Sequence, residues 1–279
     1  MSGLAICHSV MLEHSLLCYT PYGESAVIDK SLLPPSIEDY TDTGPHFPRW
    51  PCPECAHGRL TIKRSEMHFG AAARIEEGIE GGYLEHWDDQ GVFSGIMYCD
   101  SVGCRQAVAI LGDYEALAHD VGYVIGHGID GRFGQRFTFR SIYPAPNLIA
   151  ISARTPDPIK NAVAKSFPLF WSDLQACAGA MRIAVEEIAD HLRPRRTSSN
   201  GFPVSLGNHL EDIKTAQPEH AEHVEAFKLI VQKLGNPGAH GDAVDRDRVI
   251  DAYELLEIEI GKLFEGTRRA ELMGRLKAP

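Results

Sequence analysis

The sequence predicts an α+β protein, with a small, mostly antiparallel β module followed by an antiparallel helical bundle. Residues 44–155 are rich in glycine, and short apolar or aromatic runs separate the glycines, as in a sheet of short strands. From residue 156 onward, apolar residues recur every three or four positions, which is the period of buried helices. We therefore divide the chain into an N-terminal arm (1–43), a β module (44–155) and a helical bundle (156–279).

The overall composition is that of a folded protein, and it limits the possible partners. Apolar residues make up 44% of the 279 residues and charged residues 23%. No run approaches the ~20 apolar residues that cross a bilayer, and no basic region precedes the first apolar stretch. We therefore expect a cytoplasmic protein that does not contact a membrane. The formal net charge of −11 excludes binding to phosphate backbones through bulk charge, so any nucleic-acid contact must be local.

The N-terminal arm carries few structural signals. Residues 32–45, LLPPSIEDYTDTGP, are typical of an extended segment interrupted by prolines. The stretch from Val10 to Cys18 fits either a short helix or a short strand. The sequence gives no indication of a function for this arm.

Short apolar runs predict the strands of the β module. They are RLTIK (59–63), GVFSGIMYC (91–99), AVAIL (107–111), GYVIG (122–126), RFTFRSIY (136–143) and, as the last strand, LIAIS (148–152). The segment GHGIDGRFG (126–134) superficially resembles a phosphate-binding loop. It leads into a strand and not into a helix, which favours a hairpin turn.

The first part of the bundle is predicted to contain two helices. Asp157-Pro158 begins the first, and we expect Pro168 to open a second, longer one. The second helix carries an apolar stripe at Leu174, Cys177, Ala178, Met181, Val185, Ile188 and Leu192. The loop that follows, RPRRTSSNGFPVS (193–205), contains three arginines. They are either a local nucleic-acid contact or a solvated helix end, where cations complement the helix dipole.

The second part of the bundle is predicted to contain three helices. The first of these carries the apolar residues Leu206, Leu210 and Ile213. Pro218 begins the next, which ends at the left-handed helix stop Gly235-Asn236. Asp245 caps the last helix. Because the connecting loops are short, neighbouring helices are expected to be antiparallel.

Four of the seven cysteines form two close pairs, Cys52-Pro-Glu-Cys55 and Cys99-Asp-Ser-Val-Gly-Cys104. Each pair can place two thiolates on one metal ion, and two such turns complete the tetrahedral four-sulfur site that Zn²⁺ accepts readily. Such a site has no open coordination position, so the zinc would be structural. The alternative is that some of these cysteines are free and buried. If one cysteine is unused, the replacement ligands are His46 and His57.

The loop QKLGNPGAHGD (232–242) contains the clearest candidate for acid–base chemistry. A tight turn at Asn236 is followed by His240, and a histidine held in a fixed turn can act as a general base near neutral pH. The alternative is that His240 hydrogen-bonds the turn and links two helices. Arg182 and Glu186 lie four residues apart on one helical face, either as a pair that pins the bundle or as binding residues.

In their order, these motifs resemble a bacterial family of domains of unknown function that is also found fused to type I restriction subunits. The resemblance covers residues 46–266. It rests on Cys52 and Cys55, Cys99 and Cys104, the YPAP segment at Tyr143-Pro144, Arg182 and Glu186, and the GN-x-x-AH loop with Asn236 and His240. It implies an N-terminal zinc ribbon followed by a helical bundle similar to the HEPN superfamily.

The resemblance also implies a possible activity, because many HEPN proteins are metal-independent ribonucleases of toxin–antitoxin and phage-defence systems. In those enzymes a histidine assists the ribose 2′-hydroxyl, and an arginine shortly before it steadies the phosphate, usually across a dimer cleft. His240 matches the histidine, with Asn236 beside it, but no arginine precedes it at the family's separation. Lys233 or Arg182 would have to supply the charge, and lysine lacks the bidentate fork of arginine.

We therefore expect a non-catalytic interaction or regulatory protein, associated with defence or restriction, with a structural zinc site and a dimerising bundle. Its expected partners are a second copy, a protein of a defence system or RNA. The alternative is a metal-independent ribonuclease in which His240 acts with Lys233 or Arg182. Other enzyme classes find little support, because the sequence has no phosphate-cradling glycine loop with lysine and no nucleophile-elbow serine.

Overall fold

The computed structural model describes residues 32–39, 46–55, 57–85, 88–117, 134–234 and 244–277. Within these ranges the chain is a mixed α/β protein with one antiparallel sheet and six α-helices. The expectation of an antiparallel sheet followed by helices is therefore confirmed for the class of fold and the order of its elements. Several predicted features lie outside the described residues: the Val10–Cys18 segment, the GYVIG strand, residues 126–133 of the hairpin turn, and the turn with Asn236 and His240.

The sheet has three long central strands and three short strands at its edges. The strands are β1 (Ile37–Asp39), β2 (Leu60–Thr61), β3 (Met67–Ala71), β4 (Gln90–Cys99), β5 (Ala107–Leu117) and β6 (Gly134–Tyr143). Their order is β1-β6-β5-β4-β2, and β3 pairs with β4 on the same edge as β2. The edge strand β1 comes from the predicted N-terminal arm, and neither β1 nor β3 was expected from the sequence.

One face of the sheet forms part of the hydrophobic core. Side chains along β4, β5 and β6 alternate between buried and more exposed positions, as expected for an antiparallel sheet with one covered face. On the buried face, the Phe93 ring packs edge-on against Phe137 and Phe139, with centroid distances of 5.3 and 5.4 Å. Phe47 packs against the same three rings.

The helices are α1 (Ala73–Glu80), α2 (Asp157–Ser172), α3 (Leu174–Leu192), α4 (Leu206–Ala216), α5 (Ala221–Lys233) and α6 (Arg246–Lys277). Helix α1 lies within the β module and was not predicted. The bounds of α3 match the predicted stripe, and the predicted cap at Asp245 is confirmed, because its carboxylate accepts the Asp247 amide at 3.2 Å. Among the described residues, no helix is both long and apolar enough to span a membrane.

The prediction that Pro168 opens a helix is wrong. Pro168 lies inside α2, where it removes one backbone hydrogen bond without ending the helix. The buried rings of Phe167 and Phe170 on either side of it pack into the core, and we attribute the continuity of α2 to this packing. The boundary is set instead by Asp173, whose carboxylate accepts the first free amides of α3 at 2.9 Å.

The predicted strand LIAIS (148–152) is also wrong. Its apolar residues Leu148 and Ile149 are buried, but the segment pairs with no described strand. The Ala150 amide donates instead to the Glu257 carboxylate of α6 at 3.0 Å. The segment is therefore an irregular connection that packs against the helices.

An aromatic junction connects the sheet to the helices. Trp50 is fully buried, and its ring centroid lies 5.1 Å from those of Phe139 in β6 and Trp171 in α2. The Trp50 indole nitrogen donates to the Leu32 carbonyl at 2.7 Å. Because Trp50 is two residues before Cys52, this junction lies beside the first cysteine pair.

Candidate metal centre

The four paired cysteines converge on one point. The Sγ atoms of Cys52 and Cys104 lie 3.7 Å apart, as do those of Cys55 and Cys99, and all four sulfurs lie within 4.8 Å of one another. A tetrahedral ion with metal–sulfur bonds of ~2.3 Å places its sulfurs ~3.8 Å apart. The thiols therefore have the spacing of a four-sulfur metal site. The alternative ligands His46 and His57 are not part of this cluster.

The first pair is held in a tight turn by backbone hydrogen bonds. The Cys52 amide donates to the Gly58 carbonyl at 2.9 Å, and the Gly58 amide donates to the Cys55 sulfur at 3.4 Å. A Cβ atom on residue 58 would lie only 2.2 Å from the Cys99 sulfur. Only glycine therefore fits at this position while the four sulfurs remain together.

The second pair begins where β4 ends. The Cys99 amide donates to the Gln106 carbonyl at 2.9 Å, and the Cys104 amide donates to the Ser101 carbonyl at 3.1 Å. Arg105 then adopts a left-handed backbone conformation with φ of 54°. After Arg105 the chain enters β5, so the second cysteine turn connects the central strands β4 and β5.

Asp100 ties the two turns together. Its carboxylate accepts the Arg59 amide at 2.7 Å and the Arg49 guanidinium at 2.5 Å. The Arg59 amide is the main cause of a lowered Asp100 pKa, and the Arg49 charge adds to it. The carboxylate is therefore favoured over the neutral acid, and it links the residue after Gly58 to the residue after Cys99.

The pKa values of Cys52, Cys55 and Cys99 are shifted in different directions. Burial raises the pKa of Cys52 and of Cys99 above the usual thiol value. Burial is the largest single effect on Cys55 and raises its pKa, but the amides of Gly58 and His57, together with the hydrogen bonds of the Cys99 and Cys104 thiols, outweigh burial and lower the pKa to about 7. Because a metal binds thiolates, binding must release protons from Cys52 and Cys99, and metal affinity should rise with pH.

The predicted pair on α3 is part of a larger ionic network. The guanidinium of Arg182 lies 3.5 Å from the carboxylate of Glu186, which also lies 3.6 Å from Arg195. Arg195 in turn pairs with Asp190 at 3.2 Å. The network joins α3 to the loop that follows it, and the Arg182 and Glu186 side chains are 36% and 32% exposed, so both predicted roles of this pair stay predictions.

The arginine-containing loop is also paired with acidic residues. The Arg196 guanidinium donates to both carboxylate oxygens of Asp212 in α4, at 2.5 and 2.7 Å, and this bidentate pair lowers the Asp212 pKa. With Arg195 bound to Asp190, two of the three loop arginines already have carboxylate partners. These pairs favour the interpretation of a solvated helix end over a phosphate-binding patch.

Lys233 lies elsewhere, at the end of α5. It lines an open cleft of about 370 Å³ between α5 and α6, together with Leu229, Ile230, Arg248, Asp251, Ala252 and Leu255. Arg182 does not line this cleft, so the described residues do not bring these two candidates together. Asn236 and His240 lie outside the described residues, and their predicted roles stay predictions.

Three residues that support the cysteine cluster were not predicted from the sequence: Trp50, Gly58 and Asp100. Each lies within three residues of a cysteine of the cluster, and this closeness in sequence is the only local signal for it. Their contacts are with residues far along the chain, and a single sequence does not reveal such contacts.

Comparisons with known proteins cover the cysteine-containing part of the chain. Residues 42–138 are similar to a family described as a domain of unknown function (DUF8608). The matched stretch includes both cysteine pairs and the strands β2 to β5, and it ends before α2. No curated protein and no solved structure matches the chain. The comparisons thus agree with the expectation of a domain of unknown function.

Proposed function

We propose that this chain is a non-catalytic interaction protein in which a structural Zn²⁺ ion is bound by Cys52, Cys55, Cys99 and Cys104. The observation that carries the proposal is the cluster of four thiols with tetrahedral spacing. Four thiolates fill the coordination sphere of Zn²⁺, which leaves no position for a substrate or an activated water. The expected role of the ion is therefore to stabilise the fold.

The position of the cluster supports a structural role. It lies where β2 pairs with the end of β4 and beside the Trp50 junction with α2. In zinc-finger peptides, a structural Zn²⁺ ion contributes on the order of 10 kcal/mol to folding. An ion at this place would hold together the edge of the sheet and, through Trp50, the contact between sheet and helices.

A cobalt substitution tests whether the site is closed. We expect Co²⁺ to replace the bound metal with the visible spectrum of a tetrahedral four-thiolate complex, and we expect added azide to leave that spectrum unchanged. A spectral change with azide would reveal an open position and would contradict the structural role. A Cys104→Ser variant is the control, because it opens one position by design.

We further propose that α2 to α6 form a HEPN-like bundle and that the protein belongs to a defence or restriction system. The support is the order of short motifs in the sequence, together with the ion pair between Arg182 and Glu186. Expected partners are a second copy of the chain and a protein of the same system. Genes for restriction or defence proteins beside the gene for this chain would support this proposal, and their consistent absence would contradict it.

A second candidate function is metal-independent RNA cleavage by His240. One observation favours it: Lys233 and Arg248, which precede and follow His240 in the sequence, place two cations on one cleft. The acidic residue Asp251 on the same cleft opposes phosphate binding.

An RNA assay separates the two functions. The zinc-loaded protein is incubated with mixed single-stranded RNA without added metal, and the non-catalytic proposal predicts no cleavage. Cleavage that disappears in His240→Ala and falls in Lys233→Ala would overturn that proposal. The exposed Lys165→Ala on α2 is a matched control, because it removes a lysine far from the cleft in sequence.

A further inference from the structure

A group of ionisable side chains lies where the start of α5 packs against the middle of α6. The Nδ1 atom of His223 lies 2.5 Å from one carboxylate oxygen of Glu259, and the ammonium group of Lys262 donates to the other oxygen at 2.8 Å. The ring centroid of His220 lies 5.8 Å from that of His223. These four residues, named the histidine–glutamate group, belong neither to the cysteine cluster nor to the cleft that contains Lys233.

Glu259 is a buried acid in this group. Its side chain is only 4% exposed, and a buried carboxylate is costly unless it is paired and hydrogen-bonded. Both of its oxygens have a partner, one in α5 and one in α6. The His223 side chain is 16% exposed. The buried carboxylate therefore fixes the orientation of an imidazole ring that still reaches the surface.

The bond to Glu259 determines which nitrogen of His223 can bind a ligand. An ionised carboxylate only accepts hydrogen bonds, so Nδ1 of His223 carries the proton in this pair. In the neutral ring, the lone pair then lies on Nε2. Histidines that bind metals commonly have this arrangement, with one ring nitrogen on the ion and the other donating to a carboxylate.

His220 supplies a second imidazole at a suitable distance. It ends the short 3₁₀ turn Pro218–His220 that leads into α5, and its side chain is half-buried. Two imidazoles on one tetrahedral ion, with metal–nitrogen bonds of ~2.0–2.1 Å, place their ring centroids ~5 Å apart. The observed 5.8 Å exceeds this separation by less than ~1 Å, which a small rotation of the His220 ring can close.

The charges around the two rings favour a cation over an anion. The pKa of Lys262 is raised, chiefly by its bond to Glu259 and also by the charge of Glu222, so both carboxylates lie near this ammonium. Two carboxylates and one ammonium leave the group with a net negative charge when the imidazoles are neutral. Imidazole nitrogens suit Zn²⁺, Ni²⁺ and Cu²⁺, whereas Mg²⁺ and Ca²⁺ prefer oxygen ligands.

We propose that His220 and His223 are the protein ligands of a second metal site, which binds a first-row transition-metal ion, and that Glu259 positions His223 for it. Two protein ligands leave the remaining coordination positions to water, so this ion exchanges with the solution. The cysteine centre, in contrast, has four protein ligands and no open position. The inference is independent of the proposed structural zinc, because the two sites share no residue.

Titration with Ni²⁺ tests the second site. The full-length protein is first loaded with one equivalent of Zn²⁺, and isothermal titration calorimetry then measures Ni²⁺ binding. We expect the wild type to bind one Ni²⁺ per chain. Glu259→Gln should lower the affinity by about 10–100-fold, as is typical when the carboxylate partner of a metal-binding histidine is changed. His220→Ala removes a ligand and should lower the affinity by at least as much. His68→Ala is the matched control, because it removes an exposed histidine on β3.

The zinc content and the circular dichroism of each variant check that the cysteine centre and the fold are intact before the titration. A wild type that binds no Ni²⁺ would overturn the inference, as would wild-type affinity in His220→Ala. Loss of binding in His68→Ala would assign the Ni²⁺ to another surface. Release of zinc during the titration would show that Ni²⁺ enters the cysteine centre instead. Wild-type affinity in Glu259→Gln would overturn the positioning role of the carboxylate.

Discussion

Gly58 is the residue at which the smallest change should disrupt the metal centre. In Gly58→Ala, the new Cβ atom would lie 2.2 Å from the Cys99 sulfur, whereas non-bonded atoms need ~3.5–4.0 Å. The new Cβ atom or the Cys99 sulfur must therefore move by at least ~1.3 Å. A metal–sulfur bond, by contrast, can change in length by only ~0.2 Å before binding is lost. Cys99 is buried at the end of β4, and the Gly58 amide bonds to the Cys55 sulfur, so either movement displaces a ligand.

The size of the effect follows from two contributions. Overpacking of a buried site costs about 1–3 kcal/mol. A 100-fold loss of metal affinity removes a further ~2.7 kcal/mol of linked stability at saturating zinc. At roughly 2–4 °C per kcal/mol for a chain of this size, the melting temperature should fall by about 10–20 °C. Differential scanning calorimetry measures this fall, and titration with a chromogenic chelator measures the metal affinity.

Gly103 provides the matched control within the second cysteine turn. A Cβ atom there would meet no atom within 4 Å. Gly103→Ala should therefore keep its zinc and change the free energy of unfolding by no more than about 0.5 kcal/mol. If Gly58→Ala keeps its full zinc content and the melting temperature of the wild type, the Cys99 sulfur does not bind a shared ion in contact with residue 58.

Three further predictions concern the core, a helix cap and pH. Trp171→Ala should lower the free energy of unfolding by about 3–5 kcal/mol, because this ring joins the sheet to the helices. Phe202→Ala, at an exposed position, is the control and should change the free energy of unfolding by less than about 0.5 kcal/mol. Asp173→Ala should cost about 1 kcal/mol through loss of the α3 cap, and an unchanged denaturation midpoint would contradict this. Burial and the bond to Asp89 raise the pKa of Tyr114 from 10.0 to about 12. Unfolding therefore releases a proton between these values, so stability should fall as the pH rises from about 10 to about 12, and Tyr114→Phe should reduce that slope.

Short-range patterns in the sequence predicted most of the bundle helices and the cysteine pairs that the fold brings together. The bounds of α3, Leu174 and Leu192, are the first and last residues of its predicted stripe. Helical contacts join residues three or four apart, so the pattern contains most of the information that the helix needs. The spacing within each cysteine pair is also local information, because the two cysteines of a pair lie in one turn of the chain.

Features that depend on distant partners were not predicted. Strand β1 exists because Ile37 pairs with Phe137, and the requirement for glycine at position 58 comes from Cys99. The segment 148–152 has the apolar pattern of a strand, but no described strand pairs with it. Pairing across such separations is decided by the whole fold, which a local pattern does not record.

Zinc K-edge X-ray absorption on the purified protein tests the central claim most directly. We expect one zinc per chain, with four sulfur atoms bound at ~2.3 Å and no bound nitrogen or oxygen. A first shell that contains nitrogen or oxygen at ~2.0–2.1 Å would contradict the four-cysteine centre, as would protein that binds no zinc when the metal is supplied.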